Sequence, residues 1–147
     1  MKYRFRILVI ALIASTAHAF DAPSANIAKG AAYTLGPAPN YSYCTDPGDA
    51  AQLTDGVYTQ DYFWTQPTTV GWQGVRPAVI VLDLGADKPV RGVSYNAAAG
   101  TAGVYWPGSI QVFVGDDAKR FHWVGDLVTL SARKAAPPQG AYAVHRF

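Results

Sequence analysis

Asp46 and Asp49, set three apart in Asp-Pro-Gly-Asp, are the nearest approach to an acid–base pair in the chain. One carboxyl of such a pair can release a proton while its neighbour takes one up. The same four residues also suit a capped turn, the commoner use of Asp beside Pro and Gly. Asp116-Asp117, directly after Gly115, reads as a tight turn on the same grounds. His122 and His145 stand without a Cys or an acid at ligand spacing, and a zinc site needs three or four ligands. There is no G-x-S-x-G elbow, no phosphate-binding loop and no G-x-G-x-x-G; Gly100-Thr101-Ala102-Gly103 has the wrong spacing. All ten acidic residues are Asp and none is Glu. That excludes an HExxH zinc protease, an EF-hand closed by its twelfth-position Glu, and a Glu general acid. No catalytic constellation emerges, and the chain is expected not to be an enzyme.

The elements that position these residues follow from composition. The chain has 147 residues, enough for one ordinary domain. Half is apolar, and ten prolines and fourteen glycines accompany nine tyrosines and four tryptophans. This mixture suits a turn-rich β protein with a core, not a helical bundle or a disordered tail. Lys2, Arg4 and Arg6 precede the apolar run Ile7–Ala14, and Ala17-His18-Ala19 offers small residues where a signal peptidase cuts. Residues 1–19 therefore read as a signal peptide and 20–147 as the exported domain, secreted or periplasmic. The apolar run is too short to cross a bilayer, which takes about 20 residues. Cleavage takes 19 residues from 147 and leaves 128, and 9 basic residues against 10 Asp make the net charge −1. Nucleic acid is a poor partner for such a surface. Cys44 is the only cysteine, so a disulfide within the chain is impossible. It reads either as a small, half-buried thiol or as the partner of a cysteine on another chain or beyond Phe147.

Along the exported part, Tyr33–Leu35 forms a short strand that stops at Gly36-Pro37-Ala38-Pro39. Residues 40–74 are loop-like, with aromatics among Asp, Gly, Thr and Pro; so long an irregular stretch is usually functional or specifically held. Asn40-Tyr41-Ser42 fits a glycosylation sequon. Pro77–Leu84 reads as a strand buried on both faces, Val90–Asn96 as an alternating one, and Ala97–Gly103 as a flexible link. Ser109–Val114, Phe121–Val124, Leu127–Leu130 and Tyr142–Phe147 complete the series. Short, turn-separated strands without a helical period predict an antiparallel β-sandwich in one domain.

Several motifs stand in a definite order: Asn26-Ile27-Ala28, Gln52-Leu53-Thr54-Asp55-Gly56, Trp64 and Asp83-Leu84-Gly85. Pro107-Gly108-Ser109-Ile110-Gln111-Val112 and Gly115-Asp116-Asp117 follow them. Over residues 26–130 the chain resembles the coagulation factor 5/8 C-terminal (discoidin) family, with its galactose-binding-like jelly-roll and related carbohydrate-binding modules. Two features depart from that pattern. Tyr62 stands where the family has Thr two residues before the Trp, and the chain reaches Phe147 without an R-Y-V-R-L strand or a closing Glu-Ile/Val strand. The resemblance thus implies either a piece of a longer protein, with a C-terminal catalytic domain as partner, or an incomplete sandwich. An open edge would leave the isolated chain marginal, aggregation-prone or oligomeric.

The resemblance implies a non-catalytic carbohydrate-binding module, and the residues suit it. The apolar C–H face of a sugar stacks on an aromatic ring while its hydroxyls need polar partners. Tyr41, Tyr43, Tyr62, Trp72, Tyr105 and Trp106 are the candidate rings, with Asn40 and Arg76 as polar partners. Trp64, by the resemblance, lies against the sandwich instead. The resemblance also implies a structural calcium ion behind the Asp-Gly turn, with Asp55 as carboxylate, carbonyls from Gln52 and Tyr58, and an oxygen from Thr59 or Asp61. Calcium takes six to eight oxygens, and the missing closing Glu removes one of them. The alternative is a structural module that packs on a missing catalytic domain and binds nothing. A phospholipid-headgroup role is disfavoured by the net charge.

Overall fold

The computed structural model describes residues 25–117 and 119–147. The signal peptide expected over residues 1–19 lies outside the described residues. Strands dominate the regular structure. Among the described residues they pair two by two, each pair antiparallel. β1 (Ala32–Gly36) pairs with β2 (Val79–Asp83), from Ala32 opposite Asp83 to Gly36 opposite Val79. β3 (Asn96–Ala99) pairs with β6 (Ala143–Arg146), bringing the end of the chain back to its middle. β4 (Gln111–Asp117) and β5 (Arg120–Asp126) form a hairpin that leads into the helix α1 (Leu127–Ala132). Between β1 and β2 there are only two single turns of 3₁₀ helix, Pro47–Ala50 and Phe63–Thr65.

Four local expectations are corrected. The strand expected over Pro77–Leu84 does form, but it is not buried on both faces: Val79 is 47% exposed and Leu82 is exposed as well. Its β-branched run favours extended backbone, yet among the described residues β1 is its only ladder partner. The strand expected over Val90–Asn96 is displaced to Asn96–Ala99, the stretch read as a flexible link. There the small side chains decide. Ala98 and Ala99 are buried, and a Cβ on Gly100 would collide with the Ala141 carbonyl. Only a run of small residues lets the two segments approach so closely. The backbone bonds continue past the ladder, from Phe147 N–H to the Tyr95 carbonyl at 2.9 Å and from Tyr95 N–H to the Phe147 carbonyl at 3.1 Å.

The strand expected over Leu127–Leu130 is the helix α1. Asp126 caps it, accepting from the Val128 N–H at 3.1 Å and from Thr129 Oγ1 at 3.3 Å. Such a cap satisfies an otherwise orphaned first-turn donor. Finally, Gly115-Asp116-Asp117 is not itself the turn but the end of β4. The chain reverses just beyond, where Asp117 Oδ1 accepts from the Lys119 and Arg120 N–H groups at 2.9 and 2.8 Å.

The core is small. Its buried apolar members are Cys44, Phe63, Ala98, Ala99, Leu127 and Phe147. The β4–β5 hairpin stands largely outside it: Phe113 faces Trp123 across the ladder, and both rings are exposed.

Candidate functional site

The expected ligand-binding residues fall into three separate places. Asn40, Tyr41 and Trp72 come together, because the segment after β1 is zipped to residues 71–73. The N–H groups of Asn40 and Tyr41 both donate to the Gly71 carbonyl, at 3.1 and 3.2 Å. The Asn40 side chain completes a two-way exchange with Gln73, donating to its carbonyl at 3.1 Å and accepting from its N–H at 2.7 Å. Trp72 Nε1 donates to the Pro37 carbonyl at 2.8 Å. Both amide functions of Asn40 and the indole N–H of Trp72 are thus spent on holding the loop. Tyr43 is exposed and packs edge-on to Tyr41, with centroids 5.5 Å apart. Arg76 is exposed.

Tyr62 lies elsewhere, in a three-ring cluster with Trp64 and Tyr142. Its centroid is 5.6 Å from Trp64 and 4.6 Å from Tyr142, and those two meet at 5.5 Å. The Tyr142 hydroxyl donates to the Asp61 carbonyl, which ties the loop to the C-terminal segment. Tyr142 carried no signal of this role, since its partners lie about 80 positions earlier in the chain.

Tyr105 and Trp106 form the third place, and here a cavity opens. Tyr105 is 85% exposed, while Trp106 is half-buried beside it. Trp106 Nε1 donates to the Pro138 carbonyl at 2.8 Å, and its ring meets His145 and Phe147 edge-on at 5.9 and 6.1 Å. Thr101 and Gln139 join the two aromatic residues in lining a cavity of about 270 Å³. The 100–103 loop on one side is built from left-handed residues, with φ of 105° at Gly100 and 53° at Ala102. Pro138-Gln139-Gly140 completes the lining. Its Pro and Gly signal a turn, but nothing local says which segment that turn faces.

The residues expected to hold calcium are each engaged with partners outside that set. Asp55 Oδ1 accepts from the Val57 N–H at 2.7 Å, an Asx turn of the kind Asp-Gly favours. Thr59 Oγ1 donates to the Thr68 carbonyl at 2.9 Å, and the Tyr58 carbonyl accepts from Gln60 Nε2 at 3.2 Å. The Asp61 carbonyl accepts from Tyr142, and Gln52 Nε2 donates to Asp46 and to the Pro67 carbonyl. An ion at this loop would compete with Gln60 and Tyr142 for the Tyr58 and Asp61 carbonyls. The Tyr58 ring is used differently, carrying the Arg146 guanidinium 4.4 Å from its centroid.

Asp46 and Asp49 divide their roles. Asp46 caps the 3₁₀ turn, accepting from the Gly48 N–H at 2.5 Å and from Gln52 Nε2 at 3.1 Å. Asp49 lies inside that turn, only 7% exposed. Burial drives its carboxyl above the ordinary carboxylate range. The Asp46 amide opposes the rise and the Asp46 charge adds to it. The Asp46 N–H is the one group that favours the ionised carboxyl, and neither Asp49 oxygen forms a hydrogen bond of full geometry. The Cys44 thiol is likewise pushed up, by burial first and then by the charges of Asp49 and Asp46.

Comparison with protein-family models, with curated proteins and with solved structures finds no match to this chain. The functional reading therefore rests on the residues and their geometry.

Proposed function

We propose that this chain is an exported, non-catalytic carbohydrate-binding module, built as a β-sandwich of the galactose-binding-like kind that its motifs resemble. The observation that carries the reading is the Tyr105–Trp106 cleft. A freely exposed ring stands beside a ring fixed through its indole N–H, at the mouth of a cavity with Thr101 and Gln139 on its wall. A pyranose presents an apolar face and a rim of hydroxyls, and that pairing of surfaces meets both requirements. The Asn40–Tyr41–Trp72 group suits this role less well, because its polar atoms already serve the loop.

A second reading has its own support. The exposed Phe113, Trp123 and Val124 of the β4–β5 hairpin offer an apolar surface on which another domain could pack. In that case the chain is a structural module with no ligand of its own. A glycan array and retention on insoluble polysaccharides distinguish the two. Retention that is lost in Tyr105→Ala and Trp106→Ala, with folding unchanged, supports the binding module. Silence across every glycan, or retention indifferent to both substitutions, overturns the cleft reading.

A further inference from the structure

We propose that the aromatic face of the β4–β5 hairpin is an interface between two copies of this chain, packed face to face about a two-fold axis that runs along the hairpin. Cross-strand pairing sets Phe113 beside Trp123. Phe121, two positions from Trp123 along β5, points to the same side. All three rings are exposed, Trp123 to 62%. The other side of the hairpin differs. Val112 pairs with Gly125 there, and Leu130 of α1 lies 3.1 Å from where a Gly125 Cβ would stand, so the chain's own helix already covers part of it. On the aromatic side the rings face solvent, and among the described residues no third strand joins the pair.

The polar atoms of this face are paired with one another. Trp123 Nε1 donates to Gln111 Oε1 at 2.6 Å, and Gln111 Nε2 donates to Ser109 Oγ at 2.6 Å. A sugar could stack on these rings but would find the indole N–H and the glutamine amide already engaged. An apolar protein surface asks for no such partners, and a dry aromatic centre with a polar rim is the usual build of a protein interface.

The charges at the tip say which protein. Asp116 and Asp117 end β4, while Lys119 and Arg120 open the return along β5. Acids thus stand on one strand and bases on the other. Within the chain Arg120 approaches Asp117 only to 3.9 Å, with its own side chain 88% exposed, so its charge is largely free for another partner. A half-turn about an axis along the hairpin lays β4 of one copy over β5 of the second. The two carboxylates of each copy then meet the two cations of the other, and Phe113 meets Trp123 of the second copy. An isologous contact makes each of these pairings twice. A second copy supplies the complementary pattern by symmetry alone. A face seven residues long and two strands wide offers on the order of 500 Å² of accessible surface per copy, which for two copies stands at the lower limit of a specific interface. The dimer is therefore weak and reversible. It occupies the surface on which another domain could pack, and it does not depend on the Tyr105–Trp106 cleft.

The test is sedimentation equilibrium of the exported chain over a concentration series, under reducing conditions so that no linkage through Cys44 is counted. The wild type should show a monomer–dimer equilibrium that weakens as salt rises, since the tip charges are exposed. Trp123→Ser should raise the dissociation constant on the order of thirtyfold, as loss of a central aromatic anchor does. Lys119→Glu with Arg120→Glu should raise it about tenfold or more, because exposed pairs are replaced by like charges. Asp116→Lys should weaken self-association in the same way. Mixing these last two variants should restore a one-to-one dimer tighter than either forms alone, a result that no loss of folding can imitate. Tyr105→Ala should leave association unchanged. A wild type that stays monomeric up to about 1 mM, a dimer indifferent to Trp123→Ser, or mixed charge variants that associate no better than each by itself overturns the proposal.

Discussion

Gly71→Ala tests whether the 37–44 segment is truly seated on residues 71–73. A Cβ at this position would lie 2.6 Å from Cys44 Sγ and 3.2 Å from Tyr41 Cβ. Neither neighbour can retreat easily, because the Gly71 carbonyl is pinned by the N–H groups of Asn40 and Tyr41. Overpacking of one methyl group into such a contact costs about 2 kcal/mol. Cys44→Ala alone removes one buried heavy atom and should cost about 1 kcal/mol. The two changes must not add. With the sulfur gone the worst contact disappears, so the double variant should sit near the Cys44→Ala value, a coupling of about 2 kcal/mol. Urea unfolding followed by tryptophan fluorescence reads this directly. At a slope of about 2 kcal/mol per molar urea, Gly71→Ala should lower the midpoint by about 1 M. Strict additivity in the double variant, or a Gly71→Ala midpoint equal to the wild type, would falsify the packing described for these two segments.

Two aspartates should tune stability with pH in opposite senses. Asp126 is held below the ordinary carboxylate range, chiefly by the Ile110 N–H and then by Val128 and Thr129, while burial opposes. Its contribution is therefore present above that range and fades as pH falls through its lowered pKa; Asp126→Ala should lower the urea midpoint at neutral pH and flatten the acid limb. Asp49 is raised, mainly by burial, so its contribution is present at and below the ordinary range and is lost as pH climbs through its raised pKa. Asp49→Asn should remove that second slope, and a variant with the wild-type slope would contradict the burial argument. The calcium ion implied by the resemblance is checked by melting in millimolar calcium against a chelator. A rise in the wild type that Asp55→Ala abolishes supports an ion at that loop, and superimposable wild-type melts remove it.

What could be read from the residues depended on how local the deciding interaction is. Tyr33–Leu35 and Tyr142–Phe147 were placed within a residue or two because turn residues or the chain end bound them. The Val79–Asp83 run was recognisable as a strand from its β-branched residues, but its exposure depends on which segments cover it, and composition says nothing of that. Ala97–Ala99 has no strand-forming side chains at all; its ladder exists because residues 143–146 come close enough to need small partners. The helix at Leu127 was obscured by Val128 and Thr129, although Asp126 ahead of it is a legible cap. For the sites, the Tyr105–Trp106 turn could be found and its facing wall could not, since Pro138 lies 32 residues on. Asp46 and Asp49 stand out as a pair from their spacing alone. Only the structure separates the one that caps from the one buried inside the turn.

The seating of Cys44 has a practical consequence. Cys44 is 4% exposed, its sulfur has the Gly71 position directly against it, and burial and two nearby carboxylates hold it as the neutral thiol. A thiol in that state reacts only when the 37–44 and 71–73 segments part, because the reactive form is the solvated thiolate. The chain thus carries its own clock for one local event. Labelling by a maleimide reagent, timed against an unfolded standard, counts how often that seam opens, without any probe having been introduced. In an oxidising compartment the same gate sets the rate at which two copies could become linked through sulfur, so the lifetime of the reduced monomer is governed by an opening motion.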